Sequence, residues 1–115
     1  MLPTLKNGNL AIIKKYNLKI NHNDIVVIKK KDKIIIKRII GLPNDEIELN
    51  QYLYVNGEKI DELPKDENKI LNGNFLLKEN EYFVLGDNRK KSTDSRYEEI
   101  GIIKRNEIIG KVIIK

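Results

Sequence analysis

Apolar residues in this chain fall in short runs, alternating or nearly continuous, with polar turn-forming clusters between them, and no stretch sustains a helical period. The runs are LAIIKKY (10 to 16), DIVVIKK (24 to 30), KIIIKRII (33 to 40), EIELNQYLYVN (46 to 56), NFLLK (74 to 78), EYFVLG (81 to 86) and EIIGKVIIK (107 to 115). Each reads as a strand, so the fold is expected to be mainly β with little helix. In YVNGEKI, Asn56 and Gly57 lie between extended arms and both tolerate positive φ, which predicts a tight hairpin. DELPKDENKILNG (61 to 73) reads as a surface excursion. A helical turn has room only in NEIIGK or within residues 95 to 105. Seven or so antiparallel strands without an internal repeat predict one domain over residues 1 to 115, a barrel or a coiled, closed sheet.

Two segments depart from ordinary strand and loop chemistry. In KIIIKRII, alternation puts Lys37 on the face of Ile35 and Ile39, and Arg38 on the face of Ile34, Ile36 and Ile40. Each charge interrupts an apolar row. Burial disfavours an ammonium, and a lysine whose pKa falls from about 10.4 to about 7 becomes a general base near neutrality. The alternative is an edge strand whose charges reach water and discourage aggregation. The second segment is GDNRKKSTDSR (86 to 96), which follows the apolar EYFVL. If it stays extended, Ser92, Asp94 and Arg96 share a face, with Asp94 and Arg96 placed to pair and the Ser92 hydroxyl close by. Its alternative is a polar loop held by Asx turns and a surface ion pair.

Composition narrows the chemistry. With no Cys, disulfides, thiolate metal sites and cysteine nucleophiles are excluded, and the single His, His22, cannot by itself build a zinc site or a Ser/His/Asp triad. Neither a metal nor a cofactor is expected, and hydrolytic chemistry would use Lys or carboxylates. Charged residues make up 34% and apolar ones 40%, a balance that suits a folded domain. The net charge of +5 is spread along the chain, and five Tyr and two Phe are too dispersed for a base-stacking platform, so no nucleic-acid partner is expected. No stretch reaches the ~20 apolar residues of a membrane span.

Taken together, IKRIIGLPND and GDNRKKSTDSR resemble the lysine box and the late box of type I signal peptidases, the membrane-anchored Ser/Lys proteases that remove signal peptides. MLPTL (1 to 5) is similar to the tail of that family's nucleophile box, where a Ser directly precedes the Met, and NDIVV (23 to 27) to its Gly-Asp-Ile-Val strand start. The resemblance implies a sheet arrangement shared with self-cleaving repressor-type Ser/Lys proteases, with Lys37 as general base. It implies that Ser92 orients the Lys37 amine, that Asp94 and Arg96 pair to hold the late box, and that Met1, Leu5, Ile35 and Ile36 wall shallow pockets for small side chains. Arg38, on the other strand face, is expected to be structural. The implied partners are signal peptides of exported proteins and, through an anchor, the membrane surface. The implied location is the cell membrane, with the catalytic domain on its extracytoplasmic face.

Since the numbering opens at the Met that should follow the nucleophilic Ser, these residues alone are expected not to cleave. A non-catalytic homologue assisting assembly of exported proteins such as pilins is the competing expectation. Asn23 and Asn44 stand where the family usually has Gly, and Asn best tolerates the positive φ that both turns need. His22 is expected to be exposed and without a role.

Overall fold

The β-rich runs become ten strands in the computed structural model, which describes residues 11–63, 72–89, 92–97 and 100–114. They are β1 (Ala11–Lys14), β2 (Ile25–Lys30), β3 (Lys33–Gly41), β4 (Glu46–Leu49), β5 (Tyr52–Val55), β6 (Glu58–Glu62), β7 (Gly73–Leu76), β8 (Glu81–Leu85), β9 (Ile103–Lys104) and β10 (Ile108–Ile114). A 3-10 turn over Arg105–Glu107 is the single helical element among the described residues. The strands form two antiparallel sheets, one ordered β1-β10-β2-β3-β8-β9 and a smaller one ordered β6-β5-β4-β7.

Three local expectations change. The run 46 to 56 is two strands, because the Asn50 side chain accepts from Tyr52 N at 2.9 Å and turns the chain back on itself. Asp61 and Glu62 belong to β6 and Leu63 is 6% exposed in the core, so the first part of 61 to 73 is no surface excursion. The helical turn lies just before β10 and not within NEIIGK as a whole. The Asn56–Gly57 hairpin forms as expected, with Val55 opposite Glu58 and φ values of 51° and 83° at its two central residues.

Apolar alternation in β3 divides the interior. Ile40 joins Phe83 and Leu85 of β8 and the inward row of the smaller sheet, Ile47, Leu49, Leu53 and Val55, in a core between the two sheets. Ile39 points the other way, into a cluster with Val26, Ile28, Tyr82, Val84, Ile103 and Ile108. Burying these side chains stabilises the fold by about 1.5–3 kcal/mol each, and β3 contributes to both layers. Asn23 (φ 72°) and Asn44 (φ 75°) make the predicted left-handed turns, one entering β2 and one leaving β3, both beside the C-terminal end of β3. The second turn is fastened by Asp45, which accepts from Leu42 N, from Asn56 and from His22, the last at 2.7 Å. Burial pushes the Asp45 carboxyl up, but these three bonds outweigh it and hold the group below its ordinary value. His22 is exposed as expected, yet it is tied to this turn.

Candidate active site

The site grows from the pairing of β3 with β8. Arg38 lies opposite Leu85, so the chain leaves β8 at Gly86 beside Lys37. It then loops and returns along β8. Ser95 N donates to Val84 O at 3.0 Å, and Ser95 Oγ accepts from Val84 N at 2.9 Å. Ser95 is fully buried, and it registers the returning segment against the strand as a ladder residue would.

This return is a turn and not an extended strand, a correction to the alternation argument for residues 92 to 96. Asp94 and Arg96 nevertheless pair. Arg96 Nε donates to Asp94 Oδ1 at 2.8 Å and Arg96 Nη2 to Oδ2 at 2.9 Å, with side chains only 1% and 0% exposed. Such a pair is tolerable in the interior only when its remaining hydrogen-bonding capacity is used. Here Asp94 also accepts from Gly86 N at 3.0 Å and from Arg96 N, while Arg96 Nη2 also donates to the carbonyls of Arg89 and Ser92. The ion pair thus fastens both ends of the loop, ruling out the surface ion pair considered from sequence.

Ser92 is brought to Lys37, whose Nζ donates to Ser92 Oγ at 2.8 Å. No carboxylate forms an ion pair with this amine among the described residues. Burial lowers the Lys37 pKa below the ordinary lysine value; the Asp94 charge works against this, and the Arg96 charge adds to it. The Asp94–Arg96 pair therefore acts on the amine with opposing charges, and desolvation prevails. Gly86 makes the approach possible. A Cβ there would lie 2.0 Å from Ser92 Oγ and 3.3 Å from Lys37 Nζ, so no side chain fits without displacing Ser92.

Arg38 emerges from the opposite face of the same strand and is clamped by Asp87. Its Nε and Nη2 each donate to one carboxylate oxygen at 2.8 Å, and Nη1 donates to Asn23 O at 2.7 Å. The hydrogen bonds to Asp87 raise its pKa against the opposing effect of burial, so this charge is permanent. The structural role expected for Arg38 is the one its contacts describe.

Ile35 and Ile36 fall on opposite faces of β3. Ile35 lines a cavity of about 250 Å³ with Ile100 and the Lys30 to Lys33 hairpin, and Ile36 packs on Ile25, Val27 and Val112. They cannot wall one pocket together, because strand alternation separates them. Met1 and Leu5 lie outside the described residues. Sequence reasoning passed over Gly86, Asp87 and Arg89; the Gly-Asp doublet at the end of an apolar strand was the available signal for the first two. No group of three or more His, Cys, Asp or Glu side chains able to hold a metal occurs among the described residues.

The site thus holds a half-buried lysine against a serine hydroxyl on a two-sheet β scaffold, with no carboxylate paired to the amine among the described residues. The comparisons with known proteins name the family. The family model described as signal peptidase, peptidase S26, matches residues 1–115. Signal peptidase I of Bacillus caldolyticus is 43% identical, over 97% of this chain and 71% of that protein. Signal peptidase IB of Staphylococcus aureus (strain Mu50) is 35% identical, over 97% of this chain and 70% of its own length. Among solved structures, a signal peptidase I from Enterococcus faecalis V583 superposes with a TM-score of 0.62 at 30% identity, covering 84% of this chain and 98% of that one. The chain belongs to the signal peptidase family, peptidase S26.

Proposed function

We propose that this domain serves a serine endopeptidase that cleaves signal peptides from exported proteins, with Lys37 as its general base. The 2.8 Å contact between Lys37 Nζ and Ser92 Oγ, in a half-buried site with no carboxylate paired to the amine among the described residues, carries the reading. The unprotonated form of Lys37, which burial favours, has a free lone pair, and it takes the proton of the nucleophilic serine hydroxyl, which the family pattern puts next to Met1. The serine oxygen bonds to the carbonyl carbon after a small residue, and the lysinium returns its proton to the leaving amine as the C–N bond breaks. Water, deprotonated by the same amine, then hydrolyses the ester.

Ser92 orients the Lys37 amine, and the Asp94–Arg96 pair keeps Ser92 in reach. Ile35 and Ile36, on the two faces of β3, border the strand on which an extended substrate adds its own main-chain hydrogen bonds. The domain acts at the extracytoplasmic face of the cell membrane. No helix among the described residues is long and apolar enough to cross a membrane.

The test is cleavage of an exported preprotein by the protein expressed from its full natural reading frame, with the new termini read by mass spectrometry. Cleavage after small residues that disappears with Lys37→Ala is the expected outcome. Cleavage that persists in that variant removes Lys37 from the mechanism, and no cleavage by the unaltered protein favours the assembly-factor reading.

A further inference from the structure

The smaller sheet reaches into the site through one aspartate. In β6, Lys59 pairs with Tyr54 but Asp61 pairs with Leu53, so Ile60 is an extra residue and the strand bulges. Without that bulge Asp61 would fall opposite Tyr52 and share its face; a one-residue slip turns a side chain to the other side of a sheet. The bulge instead sets Asp61 on the face of Leu53, which is wholly buried in the core between the sheets. A carboxylate turned to that side needs a partner, and it has one. Arg89 Nε donates to Asp61 Oδ2 at 3.0 Å.

Arg89 is tied into the site at two further points. Its Nη1 donates to Gly86 O, and its own carbonyl accepts from Arg96 Nη2 at 2.9 Å. Gly86 N in turn donates to Asp94, which holds Arg96, so Gly86, Arg89, Arg96 and Asp94 close a ring around the segment that carries Ser92. Asp61 is the attachment of that ring to the smaller sheet.

We infer that Asp61 is a positioning residue for the reaction: through Arg89 it fixes the loop from Gly86 to Ser92, and so the contact between Ser92 and Lys37. This rests on the proposed Ser/Lys chemistry. The ion pair is partly exposed, with side chains 31% and 28% accessible, so it adds little to global stability and its effect is one of geometry. An inward charge on an edge strand also discourages edge-to-edge pairing, and that bland role predicts no effect on turnover.

The experiment uses the full natural chain with Asp61→Asn, which keeps the bond from Glu62 N to the side-chain oxygen, and with Asp61→Glu. Positioning predicts about a 10-fold or greater fall in kcat with KM within about 2-fold, an unshifted Tm, and recovery of most activity in Asp61→Glu. It also predicts that the acid limb of kcat/KM and the NMR titration of the Lys37 amine both move toward higher pH, as Ser92 loosens and water enters. Unchanged kcat and Lys37 titration in Asp61→Asn, or a loss of activity matched by a loss of folded protein, overturns the inference. An ordinary lysine titration for Lys37 in the unaltered protein overturns the Ser/Lys reading instead, and a Ser92 environment still perturbed by Asp61→Asn in the NMR spectrum then upholds the structural link alone.

Discussion

Lys37 and Arg38 are neighbours in one strand, both cationic and both set among isoleucines, and the fold treats them in opposite ways. Arg38 meets a carboxylate in a two-point clamp and a backbone carbonyl, so its charge is fixed and its strand end is pinned to the loop after β8. Lys37 meets a hydroxyl and the opposed charges of an ion pair, so burial weakens its hold on a proton. The side chains match the tasks. A guanidinium cannot be deprotonated in a protein and suits a permanent bidentate link, whereas an amine shifts readily when desolvated. What separates a structural cation from a candidate base here is the partner across the gap, since sequence neighbourhood and strand are shared.

The sharpest way to break this contrast is to exchange its outcomes. In the full natural chain, Lys37→Ala is expected to lower the initial rate of preprotein cleavage by about 10³-fold or more, while Arg38→Met keeps the rate per folded molecule within about 10-fold. Equal losses in the two variants would mean that the two cations are not functionally distinct.

Gly86→Ala comes next. The added methyl must displace Ser92, and about a 100-fold loss of kcat is expected with the Asp94–Arg96 pair retained. A crystal structure of the variant with Ser92 still on Lys37, together with full activity, would contradict the steric account.

On the structural side, Arg38→Met removes the two-point clamp on Asp87, a largely buried carboxylate. With the Arg38 side chain 22% accessible and solvent softening the loss, about 1–2 kcal/mol of stability should go, read as a lower midpoint in urea at unchanged slope.

The smallest effect is one of pH. Lys37 has a folded-state pKa below its unfolded one, so between those two values the unfolded chain binds more protons and stability rises with pH. Below the window the native state carries a half-buried ammonium. Lys37→Met therefore stabilises the fold most at low pH, and its advantage shrinks as pH climbs toward the ordinary lysine value of about 10.4. Thermal unfolding of the two proteins across that range checks the sign, and a pH-independent difference would leave Lys37 with an ordinary titration. Arg38→Met should show no such slope.

Periodicity, turn chemistry and motif order made much of this legible in the amino-acid order alone. Strand alternation assigned Lys37 and Arg38 to opposite faces, Asn56–Gly57 announced its hairpin, and Asn23 and Asn44 marked left-handed turns, because these properties depend on residues a few positions apart. The pairing of Asp94 with Arg96 was also readable, though for the wrong backbone: a turn, not an extended strand, brings them together.

Tertiary structure decided the rest. Which of two adjacent cations would meet Asp87 depended on the register of β3 against β8, and the closeness of Ser92 to Lys37 depended on a glycine that matters only once the loop has folded back. The inward turn of Asp61 required a bulge that exists only in the pairing of β6 with β5. Register and bulges are settled by contacts between residues far apart in the chain. Local order can therefore name the chemical groups of this site, but only the closed fold sets their distances.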